Sequence, residues 1–295
     1  MKRDDELDDR QRAAIHRFAP RLRRAKLTVL ASGWDSLAVD AGGEILFKFP
    51  RHGEAEARLR REAALLAIIR PRVRLPAPDM ILHDGPPLFS THPVLPGAHL
   101  LSADHQRLGE AQRDHLAKAL ADFYADVHAI DPVLLRKAGA ADLAPWPGSS
   151  ALLEAALPLL DGRAAEYARR VAGLWYRLGP DPLGMTYGHF DTHGWNIAFD
   201  HHTARLNGVY DFADSGFGPL HQDFIYLNFI ARDLTQRVVC RYCDVTGKQL
   251  DFRRIDQLTL VHRLVELAED ASIPEKMPQT LANFETWMNE AGQYF

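Results

Sequence analysis

The sequence predicts an α+β protein whose strands come first and whose helices come last. Three observations carry this. Short strand patterns recur between Leu27 and Val94, interrupted by a single helical stretch. From residue 102 onward apolar residues recur at helical spacing. A strand–loop–strand segment rich in Asp and Asn, from Gly188 to Asp214, breaks into those helices. Runs of strands followed by runs of helices point to an α+β architecture. Residues 1–94 are therefore expected to form a sheet-bearing lobe, and residues 95–295 a mostly helical one.

In the first part, residues 7–19 read as a helix with Ala14, Ile15 and Phe18 on one side and Pro20 at its end. Arg21, Arg23 and Arg24 read as a solvated face. Strand patterns follow at Leu27–Ala31, Ser36–Asp40 and Glu44–Phe49, with Gly42-Gly43 turning between the last two. Ser32-Gly33-Trp34-Asp35 makes a glycine-bearing turn of the kind that lets backbone N–H groups approach phosphates. Alone it is equally a plain hairpin turn. Side chains alternate along a strand, so Lys48 points away from Phe47 and Phe49. An inward lysine needs a partner, and the helix predicted over 54–69 supplies Glu54, Glu56 and Glu62. Pro71, Pro76 and Pro78 mark a loop. Strands over 80–83 and 87–94 then run into Pro96-Gly97.

The second part opens with a helix over 106–129, whose Leu116, Leu120, Phe123 and Val127 share a face. Gly139, Pro145, Pro147 and Gly148 make 137–150 a loop-rich insert. Helices are expected over 151–157 and 164–178, then a strand over 185–189. Two further strands, 196–200 and 206–210, turn near 201–205. Helices over 220–232, 234–245, 251–271 and 278–291 complete the chain. There is no internal repeat.

The informative segment reads Gly188-His189-Phe190-Asp191-Thr192-His193-Gly194-Trp195-Asn196, and then Tyr210-Asp211-Phe212-Ala213-Asp214. Asn196 follows Asp191 by five residues, and Asp211 comes fifteen later. Phosphoryl transfer needs a carboxylate at the attacking hydroxyl and oxygen ligands that hold a metal on the nucleotide phosphates. A loop after a strand places Asp191 for the first task. The returning chain offers the Asn196 amide oxygen, and the end of the next strand delivers Asp211. Mg2+ accepts such a set of few protein oxygens completed by phosphate and water. The same residues are also ordinary turn formers, but their joint order and spacing are those of His-x-Asp-x-x-x-x-Asn followed by Asp-Phe-Gly.

The segment resembles the aminoglycoside phosphotransferase and choline kinase family, the small-molecule branch of the protein-kinase-like fold. Two departures stand out: Phe190 replaces the usual glycine, and Gly218-Pro219-Leu220 stands where many members have Gly-Asp-Pro. The resemblance implies a bilobal protein-kinase-like fold. It implies that Asp191 is the catalytic base, that Asn196 and Asp211 ligate Mg2+, and that Lys48, paired with Glu62, clamps the phosphates of ATP or GTP. It places Ser32 and Gly33 in a glycine-bearing loop over the nucleotide, and Thr91 and Val94 beside the base at the hinge. His128 would close its helix as a packed residue. Asp223 would accept hydrogen bonds from the catalytic-loop backbone, and Asp214 would do the same or reach the acceptor. His189 would brace the loop.

Composition is that of an ordinary globular protein, with 46% apolar and 25% charged residues in 295. A formal charge of −4 offers no basic excess to nucleic acid. Cys240 and Cys243 lack the second ligand pair that structural zinc takes and read as packed or surface thiols. Sparse cysteine suits a reducing compartment, and no leader or membrane-spanning run is visible, so a cytoplasmic protein with no membrane partner is expected.

The resulting expectation is an ATP- or GTP-dependent O-phosphotransferase acting on a small hydroxyl-bearing acceptor. An aminoglycoside antibiotic comes first. Choline, a sugar or a macrolide is left open. Glu266, Glu269, Asp270, Glu285 and Glu290 are candidates to meet a cationic acceptor, and read equally as solvated helix faces. Two rivals remain: a nucleotide-binding pseudokinase, favoured by Phe190 and the short glycine loop, and a metal-dependent hydrolase using His189, His193, His201 and His202.

Overall fold

The computed structural model describes residues 7–30 and 35–290. Helix α1 (Asp9–Phe18) starts at a capping box in which the Asp8 side chain accepts from Gln11 N–H and Gln11 returns the bond. Strands β1 (Leu27–Val29), β2 (Ser36–Ala41) and β3 (Ile45–Pro50) form a meander, followed by α2 (Gly53–Ile69) and strands β4 (Ile81–His83) and β5 (Phe89–Pro93). The sheet order is β1-β2-β3-β5-β4, with every pairing antiparallel. On one face Val39, Phe47, Phe49 and Phe89 pack against Ala14 and Ile15 of α1. Lys48 therefore emerges on the other face, as strand alternation requires.

Beyond residue 100 the fold is mostly helical. The single helix expected over 106–129 is two: α3 (Ser102–Arg107) and α4 (Glu110–His128). Leu108 is extended, and Gly109 N–H is capped by the Gln112 side chain at 2.8 Å, which starts a new helix. The insert holds an unforeseen helix, α5 (Pro132–Lys137), opened by the Asp131 side chain on Val133 N–H with Pro132 in the first turn. Then come α6 (Ser149–Ala156), α7 (Gly162–Leu178) and β6 (Met185–Gly188). The hairpin of β7 (Ile197–Asp200) and β8 (Arg205–Val209) turns where expected. Strand β9 (Gly216–Pro219), unforeseen because Gly-Phe-Gly-Pro reads as a turn, pairs antiparallel with β6. A 3-10 run over Leu220–Phe229 replaces the helix expected there. Helices α8 (Arg232–Thr246), α9 (Phe252–Asp270) and α10 (Met277–Glu290) follow. One apolar core surrounds α4 and α8 and backs the catalytic segment; another lies among α6, α7, α9 and α10. Among the described residues no helix is long and apolar enough to cross a membrane.

Candidate active site

Lys48 Nζ lies 3.0 Å from Glu62 Oε2 on α2 and 3.0 Å from Asp211 Oδ1, just past β8. Burial works against the charge on Lys48, but the Glu62 and Asp211 carboxylates outweigh it and hold its pKa above the usual lysine range. Burial pushes Glu62 up against the pull of Lys48. For Asp211 burial is outweighed by Lys48, and its pKa falls. Glu62 Oε1 also accepts Phe212 N–H at 3.2 Å. Asp211 has a left-handed backbone, φ 63°. That conformation is strained for most residues and persists when surroundings fix it; here Lys48 holds the side chain while Glu62 holds the next amide.

Across from this cluster, β6 leads into the loop that carries Asp191. The Asn196 side-chain NH2 donates to Asp191 Oδ2 at 2.6 Å and to the Asp191 carbonyl at 2.9 Å. Its amide oxygen is thereby left for another partner. His193 Nδ1 accepts Trp195 N–H at 3.1 Å, so the neutral ring carries its proton on Nε2, which lies 3.2 Å from Asp191 Oδ1. Burial lowers the His193 pKa to about 4. Burial, then the nearby Asp214 and Asp211 carboxylates, push Asp191 well above the usual carboxylate range. Asp214 is raised by burial and by Asp211.

The loop is braced from below. Phe190 N–H donates to Asp223 Oδ1 at 2.5 Å, and Asp223 Oδ2 lies 2.9 Å from His128 Nε2. His128 Nδ1 lies 2.9 Å from the Tyr242 hydroxyl, so this helix-end histidine is a buried bracing group. His189 is fully buried, with Nε2 3.2 Å from the Tyr210 carbonyl. The four histidines weighed for a metal site part company: His201 Nε2 turns to the His99 carbonyl, and His202 sits in the β7–β8 turn. Among the described residues no three His, Cys, Asp or Glu side chains gather as a metal set.

A cavity of about 1050 Å³ opens beside Asp191, walled by Phe190, Asp214 and Phe229 and by α9 residues Arg263, Glu266 and Glu269. Asp270 also lines it, whereas Glu285 is exposed outside the lining and the Glu290 side chain lies beyond what is described. Two of these acids already have cations. Arg263 donates to Glu266 at 2.6 Å while stacking 3.6 Å over Phe229, and Lys276 donates to Asp270 at 3.1 Å. Burial alone would raise Glu266, but His262 and Arg263 pull its pKa down to about 2. The sequence offers no role for Arg263, which nothing marks within a helical pattern, and offers His193 only as a metal ligand; its place beside Asp191 shows once the loop folds.

Other predicted residues fall differently. Ser32 and Gly33 lie outside the described residues. The Thr91 hydroxyl bonds His83 Nε2 at 2.8 Å, on the sheet face opposite Lys48. Directly opposed residues share a face, and the partner of Lys48 in β5 is Ser90. The Val94 N–H donates to the Glu44 carbonyl at 3.0 Å. The Thr91 hydroxyl and the Val94 amide hydrogen are thus engaged within the protein.

The comparisons with known proteins bear on the fold and the family. Aminoglycoside 2'-phosphotransferase-IIIa, solved with GDP, superposes with a TM-score of 0.79 at 18% identity, covering 96% of this chain and 99% of that one. The streptomycin–ATP ternary complex of APH(2")-IIa matches with a TM-score of 0.65 at 17% identity, covering 96% and 98%. Macrolide 2'-phosphotransferase type I matches with a TM-score of 0.67 at 17% identity, covering 94% and 98%. These likenesses bear out the kinase-like α+β fold. No curated protein matches significantly in sequence. The model of the phosphotransferase enzyme family matches residues 26–258, which bears out the resemblance seen in the sequence: the chain belongs to that family.

Proposed function

We propose that the protein is an ATP- or GTP-dependent small-molecule O-phosphotransferase. The observation that carries this is the joining of the Lys48–Glu62–Asp211 cluster to the Asp191–Asn196 loop, through Tyr210 N–H on the Asn196 carbonyl at 3.0 Å, with Asp191 opening on the cavity. Lys48, held by Glu62, is assigned the nucleotide phosphates, and Ser32 and Gly33, outside the described residues, are assigned to nucleotide binding from the sequence alone. The base is assigned to the backbone edge from Thr91 to Val94, with Ser90 and His92 on the Lys48 side of β5. Residues 1–94 and 95–295 are taken as the two lobes. The similar proteins solved with GDP or with ATP support either nucleotide as co-substrate.

The Asp211 carboxylate and the free amide oxygen of Asn196 are hard oxygen donors that suit Mg2+, with phosphate oxygens completing the shell. Bound there, Mg2+ supplies charge neutralisation on the transferring phosphoryl group. Asp191, steadied by Asn196 and His193, takes the acceptor hydroxyl proton as the oxygen attacks the γ-phosphorus and the nucleoside diphosphate leaves. The raised pKa of Asp191 makes it a stronger base than an ordinary carboxylate.

The acceptor enters the cavity by α9. An aminoglycoside-like compound is the first candidate, with choline, a sugar or a macrolide as alternatives. Amino groups would meet Glu269, which His262 and Lys276 attract only through space, and Glu266 and Asp270, already paired with Arg263 and Lys276. With two free thiols, the chain suits the cytoplasm. The test is nucleoside-diphosphate release with Mg-ATP and Mg-GTP across aminoglycosides, macrolides, choline and sugars, with Asp191→Ala as control. Acceptor-dependent turnover lost in Asp191→Ala, with nucleotide still bound, is the expected result. Turnover that survives the substitution would overturn it.

A further inference from the structure

Phe190 stands immediately before Asp191 with a left-handed backbone, φ 56°. A bulky side chain rarely adopts that conformation, so something must hold it. The backbone restraint is the N–H bond to buried Asp223. The side-chain restraint is a slot where two glycines face the ring, bounded by Asp223 at Gly188 and by Leu143 at Gly218. A Cβ added at Gly218 of β9 would lie 2.6 Å from Phe190 Cζ and 2.8 Å from Cε1, and one at Gly188 of β6 would lie 2.8 Å from Cε2. The same Gly218 Cβ would meet Leu143 Cδ1 at 2.9 Å. The ring thus fits between the two paired strands only because both carry glycine where it rests. It is 3% exposed, yet it also walls the cavity beside Asp191.

We propose that Phe190 is a positioning residue. Its ring, keyed between Gly188 and Gly218, fixes the aim of the Asp191 carboxylate and forms the wall against which the acceptor hydroxyl is presented. The inference rests on Asp191 being the base. Phe190, which stands in place of the usual glycine, and Gly218 of β9 become one device: the ring needs the bare strand, and the bare strand leaves a gap without the ring.

The experiment compares wild type with Phe190→Gly, Gly218→Ala and the double variant. Phe190→Gly removes the ring while relieving the left-handed backbone, so it is the variant best placed to fold. Thermal midpoint, nucleotide Kd, and kcat with the acceptor or with water are read for each. Each single substitution should lower kcat at least tenfold with nucleotide Kd changed less than twofold. The double variant should be no worse than Phe190→Gly, because the added methyl enters the space the ring leaves and Leu143 Cδ1, the tip of a flexible side chain, can turn aside. Unchanged kcat in Phe190→Gly, or losses that multiply in the double variant, would overturn the proposal. Absence of turnover in wild type would count against the phosphotransferase reading. In that case amide exchange across His189–Asn196 decides the positioning role: faster exchange in both single variants supports it, and wild-type exchange overturns it.

Discussion

Lys48 Nζ lies 3.0 Å from Asp211 Oδ1, tying the middle of β3 to the second residue past β8. Glu62, 3% exposed, shares the same ammonium. Replacing Lys48 by Met would leave Glu62 buried without its cation. Breaking a buried pair from one side costs on the order of 3 kcal/mol, and the nucleotide would also lose its clamp. We expect Lys48→Met to lower the urea midpoint and raise the nucleotide Kd at least tenfold. Adding Glu62→Gln should recover most of the stability and none of the affinity. Recovery of affinity would mean that Lys48 serves only to neutralise Glu62.

The pH dependence of turnover follows from Asp191. A general base works in its ionised form. Its pKa is raised by burial and by Asp214 and Asp211, so the ascending limb of kcat should lie above the ordinary carboxylate value of about 3.9. Asp214→Asn removes one like charge and makes ionisation easier. The limb should therefore move to lower pH in that variant. A limb that stays in place, or moves up, would assign the titration to another group.

Much of this site was legible in the sequence because its parts lie close along the chain or on regular elements. Asp191 and Asn196 share one loop, and strand alternation alone turned Lys48 away from Phe47. What could not be read depends on who sits opposite. The sequence could not show that His83 of β4 takes the Thr91 hydroxyl, or that the Glu44 carbonyl takes the Val94 N–H. β9 has no strand-like sequence, and only its pairing with β6 across Met185–Gly188 shows it to be a strand. Phe190 looked like a flaw in the loop, and only the distant Gly218 shows how it is accommodated. Arg263 lies on a helical face whose pattern says nothing of the cavity beneath it.

Glu266 offers a stability test separate from activity. Its pKa falls to about 2, burial being outweighed by His262 and Arg263, against about 4.3 in an unfolded chain. A carboxylate depressed by folding contributes stability that is present above the unfolded value and lost as pH falls toward the folded one. The contribution is at most about 3 kcal/mol from the shift, and less after solvent screening. The urea midpoint of Glu266→Gln should lie below that of wild type near neutrality. The gap should close between about pH 4.3 and pH 2. A gap independent of pH would point to lost packing in place of lost charge.

Gly194 gives the sharpest steric prediction. It sits between His193 and Trp195, and its carbonyl accepts Leu100 N–H at 2.9 Å. A Cβ there would lie 1.9 Å from the Leu100 carbonyl oxygen, a backbone atom that no rotamer change can move. In Gly194→Ala the loop and the Leu100 segment must therefore separate. His193 and Asn196, the two groups that steady Asp191, flank this point. Displacement by about 1 Å near the chemistry can cost about 10²-fold in rate, and overpacking costs about 1–3 kcal/mol in stability. Lys48 and Glu62 are on other elements, so nucleotide affinity should survive while kcat falls about a hundredfold. Equal losses in both would mean that the Leu100 contact holds the two parts of the molecule together, and that the aim of Asp191 is set elsewhere.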